Sequence, residues 1–273
     1  MAADTGHRRS YYAAKSNHFA GMGSMNMKHR FVRSKYKKGK PLMADRQLGR
    51  HVPKTSRFAP ANLRRMLRAF PVLYVKPDGG TGGAGIIRVR RVNRSHSLIA
   101  FDNIRKKSVT RKVSVELRRF MYPRQKYIIQ QGIPLATCNG RPFDIRVVLQ
   151  RPRKKWRLTW ISAKVAPKRS SIVTNVARGA KDAKILETLR AADQPLPVPK
   201  ILKELRHVSH QIAQKLGSRF PIRIVGLDMA VDRKGKIWFI EANTQPNMHG
   251  LQQLDPKQYR RYLRAKRFMQ KRL

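Results

Sequence analysis

Apolar residues recur along this chain with two different spacings, and each change of spacing predicts a change of secondary structure. Runs rich in Val, Ile and aromatic residues, several with alternating polar positions, predict strands at 70–77, 86–91, 126–131, 143–150, 156–165, 222–231 and 236–242. Apolar residues three or four apart predict helices at 56–70, 114–121 and 200–216, with a basic helical tail at 255–273. Asp232 to Gly235 is a good turn sequence, so it joins the last two strands in a hairpin.

Five glycines within seven residues separate the first two predicted strands, shortly after Lys76 and Pro77. Such a loop can bring backbone N–H groups close to phosphate oxygens, and Lys76 adds a positive charge beside them. The G-x-G-x-x-G spacing of a dinucleotide-binding loop is present, but that motif opens a helix and here a strand follows. A Walker A sequence is absent, and so are the His-Arg-Asp and Asp-Phe-Gly motifs of protein kinases. A glycine-rich surface hairpin without a ligand remains the alternative.

Three carboxylates lie inside apolar strands: Asp144, Asp228 and Glu241. Asp228 and Glu241 are nearly equidistant from the turn of the predicted hairpin, so we expect them to be cross-strand neighbours on one face. Asn243, two residues beyond Glu241, points to the same face. These oxygen ligands suit Mg²⁺, which is commonly held by one or two carboxylates together with substrate phosphates. A structural cluster of salt bridges is the alternative.

The charge balance is extreme, with 62 Lys and Arg residues against 14 Asp and Glu residues and a net charge of +48. This field favours polyanionic partners, such as an acidic substrate, an anionic surface or, without sequence specificity, nucleic acid. No segment has the pattern of a signal peptide or the length of a transmembrane helix. The single cysteine, Cys138, suits a reducing compartment. Residues 1–50 are polar and basic and predict a flexible arm that orders near Lys35.

Six short motifs occur in a characteristic order: Val-Lys-Pro with the glycine hairpin, Ile-Ile-Gln-Gln-Gly-Ile, Asp-Ile-Arg, Thr-Asn-x-x-Arg-Gly, Gly-Leu-Asp-Met and Glu-Ala-Asn-x-x-Pro. In this order they resemble the ATP-grasp superfamily over about residues 35 to 250. The stretches Gln-Gln-Gly-Ile-Pro-Leu-Ala-Thr, Asn-Gly-Arg-Pro-Phe-Asp-Ile-Arg and Ser-Ile-Val-Thr-Asn are most similar to its YheC/YheD-like, spore-coat-associated group.

The resemblance implies an α+β ATP-grasp fold in which two α+β subdomains clamp ATP between them. We therefore divide the chain into a basic arm (1–50), an ATP-grasp domain (51–254) and the basic helical tail (255–273). Within the ATP-grasp domain, residues 70–132 form a lid subdomain that carries the glycine hairpin. Residues 133–254 form the subdomain that carries the metal ligands.

The same resemblance assigns roles to individual residues. Positions that contact ATP are Lys35, Lys76, Gly79, Gly80, Gly82, Gly83, Gly85, Gln130, Gln131 and Ile133; the lysines and glycines reach its phosphates and the last three follow the adenine edge. Catalytic or substrate positions are Arg146, Lys164, Asn175 and Arg178, with Arg146 on the γ-phosphate. Ligands for Mg²⁺ are Asp228, Glu241 and Asn243.

The implied activity is that of an ATP- and Mg²⁺-dependent ligase that activates a carboxylate as an acyl-phosphate and joins it to an amine or a thiol. Positioning and electrostatics carry this chemistry, so the lack of a Ser–His or Cys–His pair is compatible with it. The alternative is a structural coat protein that binds polyanions and retains an ATP-binding fold without ligation. Both hypotheses place the protein in the cytoplasm or in association with the spore coat.

Overall fold

Two antiparallel sheets, one after the other along the chain, organise the molecule. The computed structural model describes residues 29–93, 96–101, 104–110, 112–248 and 251–270. The twelve strands of this part of the chain are β1 (Thr55–Arg57), β2 (Val72–Pro77), β3 (Ile87–Arg91), β4 (Ser97–Phe101), β5 (Ile104–Thr110), β6 (Tyr127–Gln131), β7 (Thr137–Cys138), β8 (Arg141–Gln150), β9 (Arg157–Val165), β10 (Lys181–Ala183), β11 (Ile224–Val231) and β12 (Ile237–Asn243).

Seven α-helices pack around these sheets in the described residues. They are α1 (Lys35–Met43), α2 (Pro60–Ala69), α3 (Val113–Phe120), α4 (Ile185–Arg190), α5 (Val198–Arg219), α6 (Leu251–Leu254) and α7 (Pro256–Gln270). The predicted helix at 56–70 begins later than expected, since residues 55–57 form β1 and Pro60 occupies the first helical turn. No helix in the described ranges is both long and apolar enough to cross a bilayer.

The first sheet has the strand order β1-β6-β2-β3-β4-β5. Its core is built from the alternating inward positions of β2 and β3, covered by Leu63 and Met66 of α2 and by Leu117 of α3. The second sheet has the order β10-β9-β8-β11-β12, with β7 beside β8. The first sheet ends at Gln131 and the second begins with β7 at Thr137, so the two sheets meet close to the boundary predicted at 132.

The two faces of the second sheet are very different. One face is apolar throughout and packs against the buried stripe of α5, formed by Ile201, Leu205, Val208, Ile212 and Leu216. The opposite face has an apolar half and a charged half, which follow one another along the strands. Its apolar half, with Val148 and Trp160, is covered by Tyr262 of α7. Its other half carries Asp144 and Arg146, so the charged side chains are concentrated at one end of this face.

The segment before residue 51 orders at Lys35, as expected, but more of it is folded than a flexible arm would be. Residues 1–28 lie outside the described range, but α1 and a 3₁₀ helix at Leu48–His51 are well-formed elements. Leu42 and Leu48 are buried in the core of the second sheet, where they pack beside α5. The high content of Lys and Arg concealed this, because the apolar positions that anchor the segment are few. The folded region therefore extends N-terminally beyond residue 51.

Candidate functional site

The glycine hairpin between β2 and β3 requires glycine at three of its five positions. Gly82, Gly83 and Gly85 have φ values of +66°, +75° and +71°, in the left-handed region that favours glycine. A Cβ on Gly83 would lie 3.3 Å from Asn175 Cβ and 3.7 Å from Arg178 Cγ. The hairpin therefore packs against the segment around Asn175, and the structure brings together two motifs that are about ninety residues apart.

Two lysines from different elements lie near this hairpin: Lys76 shortly precedes it in the chain, and Lys35 contacts it. Lys76, at the end of β2, is buried, and its Nζ donates a hydrogen bond to Gln130 Oε1 at 2.5 Å. Lys35, at the start of α1, donates through its Nζ to the carbonyl oxygen of Gly80 and lies 3.2 Å from Glu241 Oε1. Lys35 therefore bridges the hairpin of the first sheet and the edge strand of the second.

Asp78 fixes the position of α1 and was not singled out by the sequence. Ser34 Oγ donates to Asp78 Oδ2 at 2.7 Å, and the backbone N–H of Tyr36 donates to Asp78 Oδ1 at 2.8 Å. Ser34 also caps the helix by accepting a hydrogen bond from the Lys37 N–H. The Ser-Lys pair at 34–35, a cap directly before the lysine, was the local signal for this arrangement.

Arg146 and Lys164 converge on one carboxylate in the centre of the charged face. Arg146 Nε donates to Asp228 Oδ1 at 2.7 Å, and Lys164 Nζ donates to the same oxygen at 3.2 Å. Burial alone would raise the pKa of the Asp228 carboxyl, but these two cations hold it well below its usual range. Asp228 is therefore ionised at neutral pH and can act as an oxygen ligand.

Asp144 lies on the other side of Lys164, with Lys164 Nζ 2.9 Å from Asp144 Oδ1. The two groups form a buried ion pair, and Lys164 is shared between Asp144 and Asp228. Thr174 Oγ1 donates to Asp144 Oδ2 and so ties the loop after β9 to the sheet. Burial raises the pKa of the Asp144 carboxyl to about 6, because Lys164 is shared with Asp228 and compensates only in part.

The pH dependence of stability tests this environment. The raised pKa means that the folded protein binds a proton at Asp144 that the unfolded chain releases near its ordinary pKa of 3.8. The stability that Asp144 contributes is therefore full below about pH 4 and is lost as pH rises through about 6, on the order of 3 kcal/mol. In Asp144→Asn we expect this loss to be absent, as measured by urea unfolding of both proteins between pH 4 and 7.

Asp45→Asn is the control for this measurement. A hydrogen bond from Lys215 lowers the pKa of the partly exposed Asp45 carboxyl, so its contribution is lost as pH falls rather than as it rises. Because this loss occurs below about pH 4, the difference in unfolding free energy between wild type and Asp45→Asn is expected to change little from pH 4 to 7. Parallel curves for wild type and Asp144→Asn from pH 4 to 7 would contradict the raised pKa.

The register of the last hairpin confirms the prediction for its two carboxylates. Asp228 on β11 is the direct cross-strand partner of Glu241 on β12, and a register shift follows between Asp228 and Met229. The next strand continues the row, since Asp228 also faces Arg146 on β8. Asn243 pairs with Gly226, and its Oδ1 accepts a hydrogen bond from the Gln245 N–H. The predicted metal ligands are therefore close together, with Asn243 also shaping the turn after β12.

Other predicted positions have local structural partners. Asn175 Oδ1 accepts from the Ala177 N–H and caps the 3₁₀ helix Val176–Arg178. Gln131 Oε1 accepts a hydrogen bond from the Lys54 N–H, and Ile133, half-buried, follows the end of β6. Gln130, Gln131 and Ile133 therefore lie at the junction between the two sheets, while Asn175 and Arg178 lie opposite the glycine hairpin.

Lys38 belongs to the same region and was missed by sequence reasoning. It lies one turn after Lys35 on α1 and is 4% exposed. Burial lowers its pKa to about 8, against the attraction of Glu241. Because the surrounding sequence is rich in lysine, nothing in the sequence distinguished this one from its solvated neighbours.

Comparisons with known proteins agree with this architecture. The chain is 27% identical over 242 residues to the endospore coat-associated protein YheD of Bacillus subtilis (strain 168), covering 78% of this chain and 52% of YheD. It thus spans about half the length of that relative. Structural similarity at a TM-score of 0.53 links it to an N5-carboxyaminoimidazole synthase from Aspergillus clavatus, solved with ADP and an aminoimidazole ribonucleotide. That match has 13% identity and covers 87% of this chain and 52% of the synthase.

A second ADP-bound N5-carboxyaminoimidazole ribonucleotide synthetase also matches at a TM-score of 0.53, with 12% identity and coverage of 86% of this chain and 51% of that enzyme. At these identities the likeness concerns the fold, which is the ATP-grasp fold. The family model for YheC/D-like ATP-grasp proteins matches residues 25–269, nearly the whole described chain. The two sheets and the charged cluster that joins them are thus those of an ATP-grasp protein, and this chain belongs to the YheC/D-like ATP-grasp family.

Proposed function

We propose that the chain binds Mg²⁺-ATP between its two sheets and uses it to activate a carboxylate for ligation to an amine or a thiol. One observation carries the proposal. Lys35 joins the glycine hairpin of the first sheet to Glu241 of the second, within the charged cluster that also contains Lys76, Arg146 and Asp228. A site in which cations approach from one side and carboxylates from the other suits a nucleotide triphosphate held by Mg²⁺.

The ligand set is chemically suited to Mg²⁺. Asp228 and Glu241 are neighbouring, partly exposed carboxylates on one face, and Asn243 adds an amide oxygen beside them. Arg146 forms an ion pair with Asp228 and Lys35 forms one with Glu241, which supports the assignment of a cation to these carboxylates. Bound there, Mg²⁺ would neutralise charge on the phosphates. We assign Asp228, Glu241 and Asn243 to hold it.

The remaining side chains would orient the reactants. Lys76 and Lys35 would bind phosphate oxygens, with the hairpin glycines covering them and Gln130, Gln131 and Ile133 along the adenine. Arg146 would neutralise the γ-phosphoryl group while a substrate carboxylate oxygen attacks its phosphorus and the bond to ADP breaks. Lys164, Asn175 and Arg178 would face the acyl-phosphate, which an amine or thiol then attacks at carbon, releasing phosphate. Closure of the hairpin would keep water from this intermediate.

The first experiment measures release of ADP and phosphate with Mg²⁺-ATP across a panel of carboxylic acids, amines and thiols. We expect turnover that requires both a carboxylate and a nucleophile. Binding of the non-hydrolysable analogue AMP-PNP with Mg²⁺ is measured in parallel by calorimetry. Failure to bind the analogue would overturn the proposal, and binding without turnover with any pair would favour the second candidate below.

Nucleotide affinity is expected to depend on the charge of Lys76. Burial lowers the pKa of this lysine to about 8, with Glu241 and Lys35 acting in opposite directions on it. An adjacent phosphate favours the ammonium form, so AMP-PNP affinity is expected to fall as pH rises through about 8, and binding near that pH is expected to take up protons. Calorimetry in buffers of different ionisation enthalpy measures both.

Lys76→Arg is the matched variant, because a guanidinium stays charged throughout this range. Its affinity is expected to change less between pH 7 and 9 than that of the wild type. Lys200→Arg, on the exposed start of α5, serves as the control and is expected to keep the wild-type profile. The same pH step in Lys76→Arg as in the wild type would assign the step to another group, such as Lys38.

The net charge of +48 favours a second candidate: a polyanion-binding structural protein that associates with the spore coat and does not ligate. The coat association named for the Bacillus subtilis relative supports this setting. The two candidates differ in salt dependence. Binding of polyglutamate or of a DNA duplex is expected to weaken steeply with rising salt, whereas AMP-PNP binding in a preformed site responds less. Activity in the ligation assay would exclude a purely structural role.

A further inference from the structure

A groove between α4, α5 and α7 lies on the face of the second sheet's helices, away from the charged cluster. Two adjoining cavities of about 570 and 670 Å³ form it, and they share the same four side chains. These are Leu186 and Arg190 on α4 and Leu202 and Arg206 on α5. Because the cavities share these side chains, they form one continuous groove.

The two helices present the same pattern to this groove. Each carries a leucine and, one turn later at i+4, an arginine on the same side. Leu186 is 44% exposed, which makes it one of the few large apolar side chains on the described surface. Beneath it the floor is aliphatic, with Ile161 and Leu158 contributing. The surface thus offers two apolar contacts, each followed by a positive charge.

The cations at the rim lack carboxylate partners. Arg190, Lys203 and Arg206 are exposed and form no salt bridge with any described residue. The acids nearby are already engaged: Glu187 lies 3.6 Å from Lys184, and Asp255 accepts hydrogen bonds from Gln258. An occupant must therefore supply both apolar groups and negative charge.

We propose that this groove binds an acidic amphipathic segment of a partner protein, with aliphatic side chains in the groove and carboxylates on the rim arginines. In helix-in-groove recognition, the ligand helix inserts apolar side chains at helical spacing into an apolar groove. The proposal is independent of ATP binding. A second copy of the chain is disfavoured, because it would bring equal positive charge to the rim.

Other polyanions fit the groove less well. No aromatic side chain lines either cavity, so nucleic acid bases would have no surface on which to stack. A bilayer could contact Leu186, but the aliphatic floor lies below the rim and outside the reach of a flat surface. The N-terminal residues 1–28 do not match the groove in charge, since they contain Arg8, Arg9, Lys15 and Lys28 against one Asp.

The test uses the full chain and two fluorescent peptides of about 14 residues, long enough for a helix of about four turns. Both carry the same number of glutamates. One has leucines at i and i+4 spacing and the other has glutamine in their place. Fluorescence anisotropy is measured in about 0.3 M NaCl, which shortens the range of the diffuse attraction from the remaining charges. We expect the leucine peptide to bind at least about tenfold more tightly, as burial of leucine side chains implies.

Variants then locate the site. Arg190→Glu/Arg206→Glu is expected to weaken the leucine peptide at least about tenfold more than Arg64→Glu/Arg68→Glu, which makes the same charge change on the exposed side of α2. Leu186→Asp is expected to abolish the preference for leucine. Thermal unfolding of each variant verifies that it is folded. Equal binding of the two peptides, or equal losses in the two double variants, would overturn the proposal. So would groove-dependent binding of phosphatidylserine vesicles without preference for the leucine peptide.

Discussion

Replacing Glu241 by Gln is expected to reduce Mg²⁺-ATP turnover by about 10²- to 10³-fold, the range typical for loss of one preorganised electrostatic group. Glu241 lies at the end of the row of ionic side chains that runs through Arg146 and Asp228. Glutamine has the same shape but no charge, so it is a weaker ligand for Mg²⁺ and no longer neutralises Lys35. The concentration of Mg²⁺ that half-saturates AMP-PNP binding is expected to rise in the same variant.

The fold is expected to be almost unaffected. The side chain of Glu241 is 28% exposed and its ion pair is a single contact with Lys35, so its loss costs within about 1 kcal/mol of unfolding free energy. Glu187→Gln is the control, since it removes one negative charge from an exposed pair with Lys184. Full turnover or an unchanged Mg²⁺ requirement in Glu241→Gln would refute the metal assignment, whereas turnover lost equally in the control would indicate an effect of net charge.

The part of this site that could be predicted from sequence depends on short-range geometry. The turn at Asp232 to Gly235 sets the register of β11 and β12, so the pairing of Asp228 with Glu241 followed from counting residues. The glycine hairpin followed similarly from its two flanking strands. By contrast, Arg146 meets Asp228 across 82 residues of sequence, and no local pattern determines which strands become neighbours in a sheet.

The remaining differences arise from the composition of the chain. In a sequence with 62 Lys and Arg residues, charge does not distinguish a solvated lysine from a buried one, so the arm was expected to order only near Lys35, and the burial of Lys38 on α1 was not predicted. Asp144 shows the opposite case. Acids are scarce, so its place in an apolar strand was conspicuous, but its hydrogen bond with Thr174 depends on how the loop after β9 folds back. The groove was not predicted from the sequence, because leucine and arginine at helical spacing are common on the surfaces of helices.

A second large effect is expected for Gly85→Ala, which tests whether the conformation of the glycine hairpin is part of the nucleotide-binding site. The backbone at this position has φ +71°, and an added Cβ would lie 2.6 Å from Tyr122 Cε2 and 2.9 Å from Pro77 Cγ. Backbone strain and overpacking each cost about 1 to 3 kcal/mol, so Gly85→Ala is expected to destabilise the first sheet by roughly 2 to 5 kcal/mol. AMP-PNP affinity is expected to fall with it.

Gly79→Ala is the matched control in the same hairpin, because its φ is not positive and nothing lies within 4 Å of its Cβ position. There alanine reduces the freedom of the unfolded chain, and its effect on unfolding free energy is expected to be within about 1 kcal/mol. Urea unfolding gives the overall cost, and hydrogen exchange of the amides of β2 and β3 reports whether opening is confined to the first sheet. One outcome is faster amide hydrogen exchange of β2 and β3 in Gly85→Ala alone, while both variants bind AMP-PNP like the wild type. In that case the conformation of the hairpin is not needed to hold the nucleotide. If Gly85→Ala alone loses affinity, the positive φ at Gly85 and its packing against Tyr122 are part of the binding site.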